Sequence, residues 1–193
     1  MRYSTMKKTL LSLCLTCLLT TPAIAQTVQP EWQSQYAIGK NKLAPHTYIW
    51  PYANADAAGE GNYEQSPYYM SLNGKWKFHW VKNPDHRPKD FYKPSFYTGG
   101  WADIDVPGNW ERQGYGTAIY VNETYEFDDP LFNFKKNPPL VPYAENEVGS
   151  YRRTFTVPAD WKDRRIVICC EGVISFYYIW VNGYMPVSYT HLT

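Results

Sequence analysis

The chain has 193 residues, a formal net charge of +1, 18% aromatic residues and 15 prolines. That length supplies one domain with an arm, and the aromatic and proline content fits short strands and stiff turns rather than a helical bundle. Near-neutral charge without a long basic run argues against nucleic acid as a partner, and Lys135-Lys136 reads as a solvated loop.

Residues 1–25 read as a secretory signal, with Lys7 and Lys8 before an apolar core from Leu10 to Leu19 and a small-x-small site at Ala23-Ile24-Ala25. The core is too short to span a bilayer, so the expectation is export to the periplasm or beyond, no membrane anchor, and Gln26 as the mature terminus. Cys169 and Cys170 then remain, adjacent in an apolar run. Strand neighbours point to opposite faces, so a bridge between them is geometrically poor, and they read as two small buried residues. His46, His79, His86 and His191 lack zinc spacing, and Asp128-Asp129 lacks the further carboxylates of a calcium loop. No metal or other cofactor is expected in this segment.

Residues 26–65 read as an extended arm. Pro45, Pro51 and the run Ala-Asn-Ala-Asp-Ala-Ala-Gly favour loop, while Tyr48, Ile49, Trp50 and Tyr52 are too apolar for a disordered tail. Strand signals begin at Ser71. Trp76, Phe78 and Trp80 alternate with Lys75, Lys77 and His79, placing three aromatics on one sheet face. Residues 87–100 are turn-rich, and Trp101 to Val106 forms a short strand stopped by Pro107. Residues 128–148 read as a long ordered loop.

Tyr151 to Val157 alternates again, with Arg153 on the apolar side, where it needs a carboxylate or carbonyl partner. Ile166 to Cys170 and Phe176 to Val181 are apolar on both faces, as covered strands would be. Asn182-Gly183 signals a two-residue hairpin with its return strand starting at Tyr184. Pro186 is expected to interrupt that strand, so residues 184–193 read as an atypical C-terminal end. The loss of a return strand would uncover Ile166, Ile168, Phe176 and Trp180. The sum is an all-β chain: a sandwich over 66–183, without its last strands, behind an N-terminal arm.

Between the two β-rich regions lies Val106 to Tyr125, rich in glycine and aromatics. Gly108, Gly114 and Gly116 permit tight turns. Trp110, Tyr115, Tyr120 and Tyr125 offer flat faces with polar tips. Asn122 among them carries a donor and an acceptor. Such a loop could present one amide beside aromatic surface, suiting a polyhydroxylated ligand with apolar ring faces. It could equally pack its aromatics as core and use Asn122 to close a turn. Asn122-Glu123-Thr124 also fits a glycosylation acceptor pattern.

The string Pro-Gly-Asn-Trp-Glu-x-x-Gly-Tyr-Gly-x-x-x-Tyr-x-Asn-x-x-Tyr resembles the signature loop of the sugar-binding domain of family 2 glycoside hydrolases, most closely the β-galactosidase branch. The resemblance extends from about Asn41 to Gly183 through Lys42-Leu43-Ala44-Pro45-His46, Ser71 to Phe78 and Gly149 to Phe155. Glu126 stands where that family usually has proline. The resemblance implies a jelly-roll, galactose-binding-like sandwich and an arm lying over neighbouring domains. It implies a role for Asn122 in bonding a β-galactoside or related glycan held by a catalytic barrel downstream of this segment.

A retaining glycosidase uses two carboxyl groups about 5–5.5 Å apart. No glutamate here matches the family's catalytic pair, so this segment alone is expected to be inactive. Glu111 and Glu123 read as hydrogen-bonding or solvated loop residues. A free-standing carbohydrate-binding module, a structural sandwich, and a β-mannosidase or β-glucuronidase relative are the alternatives. The Tyr120-x-Asn122-x-x-Tyr125 pattern favours the galactosidase branch.

Overall fold

The structure is a computed structural model describing residues 30–44, 47–118, 140–144, 146–174 and 176–190. The chain divides after Pro30, and the unit described below is Glu31–Thr193. Its elements among the described residues are β1 (Gly39–Lys40), α1 (Ala55–Glu60), β2 (Gly74–Val81), β3 (Ala102–Val106), β4 (Val148–Arg152), β5 (Phe176–Val181) and β6 (Tyr184–Thr190). Short 3-10 turns connect them. The strands form two antiparallel three-stranded sheets, ordered β3-β2-β4 and β1-β6-β5.

β2 is the centre of the first sheet because its period of two serves both neighbours. Trp76, Phe78 and Trp80 share one face, where Trp76 pairs with Ile104 and Phe78 with Tyr151. Phe78 and Ile104 are each 1% exposed and form the centre of the core. On the opposite face the register sets Lys75 against Asp105 and Lys77 against Asp103. These pairs close at 2.7 and 2.9 Å but stand in solvent, so they select register more than they stabilise.

The second sheet grows from the hairpin at Asn182-Gly183. Both residues have positive φ, 51° and 87°, the backbone of a turn whose twist matches the flanking strands. Contrary to the sequence expectation, Pro186 does not end the return strand. β6 runs to Thr190 and pairs with β1 as well as β5. The register shifts between Ile179↔Val187 and Val181↔Tyr184, so Pro186 falls in a bulge, where a missing N–H costs no ladder bond.

An aromatic chain joins the sheets. His79 of β2 stacks on Trp101 at 5.4 Å, and Trp101 meets Phe91 at 5.9 Å. Phe91 and Tyr92 each reach Trp180 of β5 at 5.4 Å. Trp180 is therefore covered rather than left open. The result is an all-β sandwich whose filling is largely ring on ring.

Three further expectations are corrected. Ile166 to Cys170 forms no strand; Ile166, Val167 and Ile168 are 47, 58 and 41% exposed. An apolar β-branched run becomes a strand only where a partner supplies the ladder, and among the described residues none pairs with it. Cys169 is accordingly exposed and Cys170 half-buried, and both are free thiols. β4 stops at Arg152, leaving Phe155 and Val157 beyond it at 38% exposure each.

The alanine-rich run of the arm forms α1 rather than loop. Asn54 accepts from Ala57 N at 2.9 Å as its N-cap, and Gly61 closes it with φ 72°. Elsewhere the arm is pinned by contacts distant in sequence. Trp50 stacks on Tyr63 at 4.4 Å, and Gln33 exchanges hydrogen bonds with the backbone of Val141.

Candidate functional site: the base of the aromatic loop

The loop after β3 is built as a sequence of small locks. Pro107, joined to Val106 by a cis peptide, removes the donor that would continue the strand. Trp110–Gln113 makes one 3-10 turn, and Gly114 then adopts φ 91°, which a side chain would resist. That turn returns Gln113 to β3. Its Oε1 accepts from Asp105 N at 2.8 Å, and its Nε2 donates to Asp105 O at 3.0 Å. Gln113 thus mimics one residue of a paired strand. A Cβ on Gly108 would lie 2.8 Å from Gln113 Nε2 and 3.0 Å from Asp105 O, so this lock requires glycine.

Trp110 seats the loop on the sheet. Its ring lies over Gly149 of β4, where a Cβ would come within 2.7 Å of Trp110 Cε3 and Phe78 Cε2. Phe78 meets Tyr115 edge-on at 4.8 Å and Tyr151 at 4.7 Å. Burial among these rings pushes the Tyr151 phenol up to about 12, and the negative charge of Glu111 adds to the shift. Tyr151 is therefore a neutral packing group at ordinary pH. Glu111 acts here through its charge.

The outgoing arm of the loop is tied by Thr117 N donating to Glu147 Oε1 at 3.2 Å. Gly116, φ 67°, brings the backbone against that carboxylate. Beside this tie opens a cavity of about 300 Å3 lined by Trp80, Tyr115, Thr117 and Glu147. Among the described residues the indole N–H groups of Trp80, which lines this cavity, and of Trp110 are buried without hydrogen-bond partners. The described chain stops at Ala118, so Asn122, the sequence-derived binding residue, lies outside the described residues, as do Tyr120, Glu123 and Tyr125.

Gln113, Gly149 and Glu147 were not singled out from sequence. Gly149, directly before the strand residues Ser150-Tyr151, was the legible hint, because glycine inside a strand marks a close approach. Arg153 meets its expected requirement: Nη1 donates to Leu72 O and Asn73 O at 2.6 and 2.7 Å. Burial and the neighbouring Cys169 both push the Cys170 thiol up, which suits an inert thiol rather than a nucleophile. Among the described residues no cluster of three potential metal ligands forms, and no helix is long and apolar enough to cross a membrane.

Residues 69–191, from just before β2 through β6, match the family model described as glycosyl hydrolases family 2, sugar binding domain. The chain belongs to this family. The family 2 match thus takes in β2 through β6 and the loop base, leaving β1 of the arm outside it. Relatives of the chain include the β-galactosidase of Priestia megaterium, 39% identical over 155 residues, covering 80% of this chain and 15% of the relative. The β-galactosidase of Psychromonas ingrahamii is 34% identical over 153 residues, covering 79% and 14%. That of Halalkalibacterium halodurans is 42% identical over 113 residues, covering 58% and 11%. The family 2 chain thus spans only 11 to 15% of the length of these relatives.

Proposed function

We propose that this chain is the sugar-positioning domain of an exported β-galactosidase, acting on terminal β-D-galactosides together with a catalytic barrel in the same polypeptide. Asn122 is the residue assigned to the sugar. The observation carrying this reading is the seating of the loop base. Gln113 on Asp105, Trp110 on Gly149 and Thr117 on Glu147 hold the loop backbone as far as Thr117, shortly before Asn122 in sequence. A positioning amide is most effective where its chain is already held, and the described base supplies that hold as far as Thr117. The β-galactosidase names of the relatives support the same substrate class. The domain contributes no catalytic carboxylate pair, so hydrolysis by the isolated chain is not expected.

The test is a chimera in which this chain replaces the matching part of the Priestia megaterium β-galactosidase. Galactoside hydrolysis should survive the exchange. Asn122→Ala in the chimera should lower kcat/KM by about tenfold to a hundredfold, because it strands a sugar hydroxyl without its partner. Unchanged kinetics would return Asn122 to a turn-forming role.

A further inference from the structure

The face of the first sheet opposite Phe78 holds a cavity of about 390 Å3 that the sugar-positioning role does not use. Strand register brings its charges together. Lys77 of β2 is flanked in one cross-strand row by Asp103 of β3 and Arg152 of β4. Lys75 lies one step along the same face, Arg153 closes one side, and Thr98 and Thr154 add hydroxyls. Four cations therefore line the cavity against the single carboxylate of Asp103.

The lysines are matched, Lys75 by Asp105 and Lys77 by Asp103. The arginines are not. Among the described residues Arg152 donates to the carbonyls of Phe91, Pro94 and Phe96, the closest at 2.6 Å. Arg153 donates through Nη1 to the Leu72 and Asn73 carbonyls, and its guanidinium lies over the Trp76 ring at 6.0 Å, so it edges the cavity rather than facing into it. Carbonyl bonds orient a guanidinium without neutralising it. Among the described residues neither arginine has a carboxylate partner, and Nε and Nη2 of Arg153 make no hydrogen bond. The Arg152 guanidinium, oriented but not neutralised, stands in one row with Lys77 and beside the Thr98 and Thr154 hydroxyls, a donor set that suits a planar or tetrahedral oxyanion.

We propose that this cavity binds an oxyanion, sulfate, phosphate or carboxylate, carried either by a free inorganic ion or by an acidic sugar. Asp103 is its internal competitor, occupying Lys77 until the anion arrives. That arrangement makes two substitutions act in opposite directions, which damage to the fold would not do.

The experiment is calorimetric titration of the purified full chain with sodium sulfate, galactose 6-sulfate and galacturonate, against sodium chloride at matched ionic strength. Saturable binding of at least one oxyanion, and none of chloride, is expected. Tighter binding of galactose 6-sulfate or galacturonate than of sulfate identifies a glycan-borne group; equal or weaker binding identifies the free ion. Lys77→Gln should weaken binding by about five- to tenfold, the loss of one charge-assisted contact. Asp103→Asn should tighten it by about two- to fivefold, by freeing Lys77 in a solvent-screened setting. Thermal unfolding of both variants, read with and without sulfate, repeats the comparison independently of calorimetry. Absence of saturation for every oxyanion, or both variants shifting affinity in the same direction, would overturn the proposal.

Discussion

The side-chain amide of Gln113 closes on the backbone of Asp105 from both sides, accepting from its N–H at 2.8 Å and donating to its C=O at 3.0 Å. One side chain thereby satisfies both backbone groups of Asp105 near the end of an edge strand and holds the start of the loop that follows. Gln113→Ala should destabilise the chain by about 1–2 kcal/mol, because two backbone groups lose their partner. Gln113→Glu should not rescue it, since a carboxylate cannot donate to Asp105 O. Urea unfolding, with hydrogen exchange at the Asp105 amide, checks both. Unchanged protection of that amide in Gln113→Ala would show that the pair carries no structural weight.

Gly149 is the slot in which Trp110 sits. Gly149→Ala should cost about 1–3 kcal/mol by overpacking, since a Cβ there collides with two rings that are themselves held in place. Adding Trp110→Leu should recover part of that loss while Trp110→Leu alone destabilises. A double-mutant cycle read by denaturant midpoint decides, and additive effects would contradict direct contact.

Tyr151 supplies a pH signature. Its folded-state pKa is raised from 10 to about 12, first by burial and then by Glu111. A raised tyrosine favours the neutral form in the folded chain, so its contribution is fully present below pH 10. Above that the unfolded chain ionises first, and the contribution is lost as pH rises to about 12. Tyr151→Phe should therefore flatten the fall of stability between pH 10 and 12, and Glu111→Gln should make the fall smaller and end it at a lower pH. Identical alkaline profiles for wild type and Tyr151→Phe would rule out this origin.

Export should remove residues 1–25. The motive is Lys7-Lys8, the apolar stretch Leu10 to Leu19 and the Ala23-Ile24-Ala25 site. Mass spectrometry of the secreted product should give an N-terminus at Gln26. A mature protein that keeps Leu10 to Leu19 would defeat the idea.

The sequence alone determined those features that depend on one or two neighbours. The alternation around Phe78, the stop at Pro107, the turn at Asn182-Gly183 and the need of Arg153 for a carboxylate or carbonyl partner were all legible. Each follows from side-chain period or from φ preferences, which act within a few residues. The role proposed for Asn122 rests on resemblance, and no local pattern separates a sugar-binding amide from a turn-forming one.

Only tertiary structure decided the rest. Pro186 reads as a strand breaker, yet the register shift against Trp180 and Val181 gives it a bulge where no donor is required. Ile166 to Cys170 reads as a covered strand, yet no strand among the described residues pairs with it, and Ile166, Val167 and Ile168 stay exposed. Gln113, Gly149 and Glu147 acquire meaning from Asp105, Trp110 and Thr117. Of these contacts, Glu147–Thr117 and Gly149–Trp110 cross long stretches of chain, and the Gln113 pair depends on the turn between. Local propensity sets what a segment can become; the partner that satisfies its backbone or fills its slot is chosen by strand pairing and packing, which the linear chain does not display.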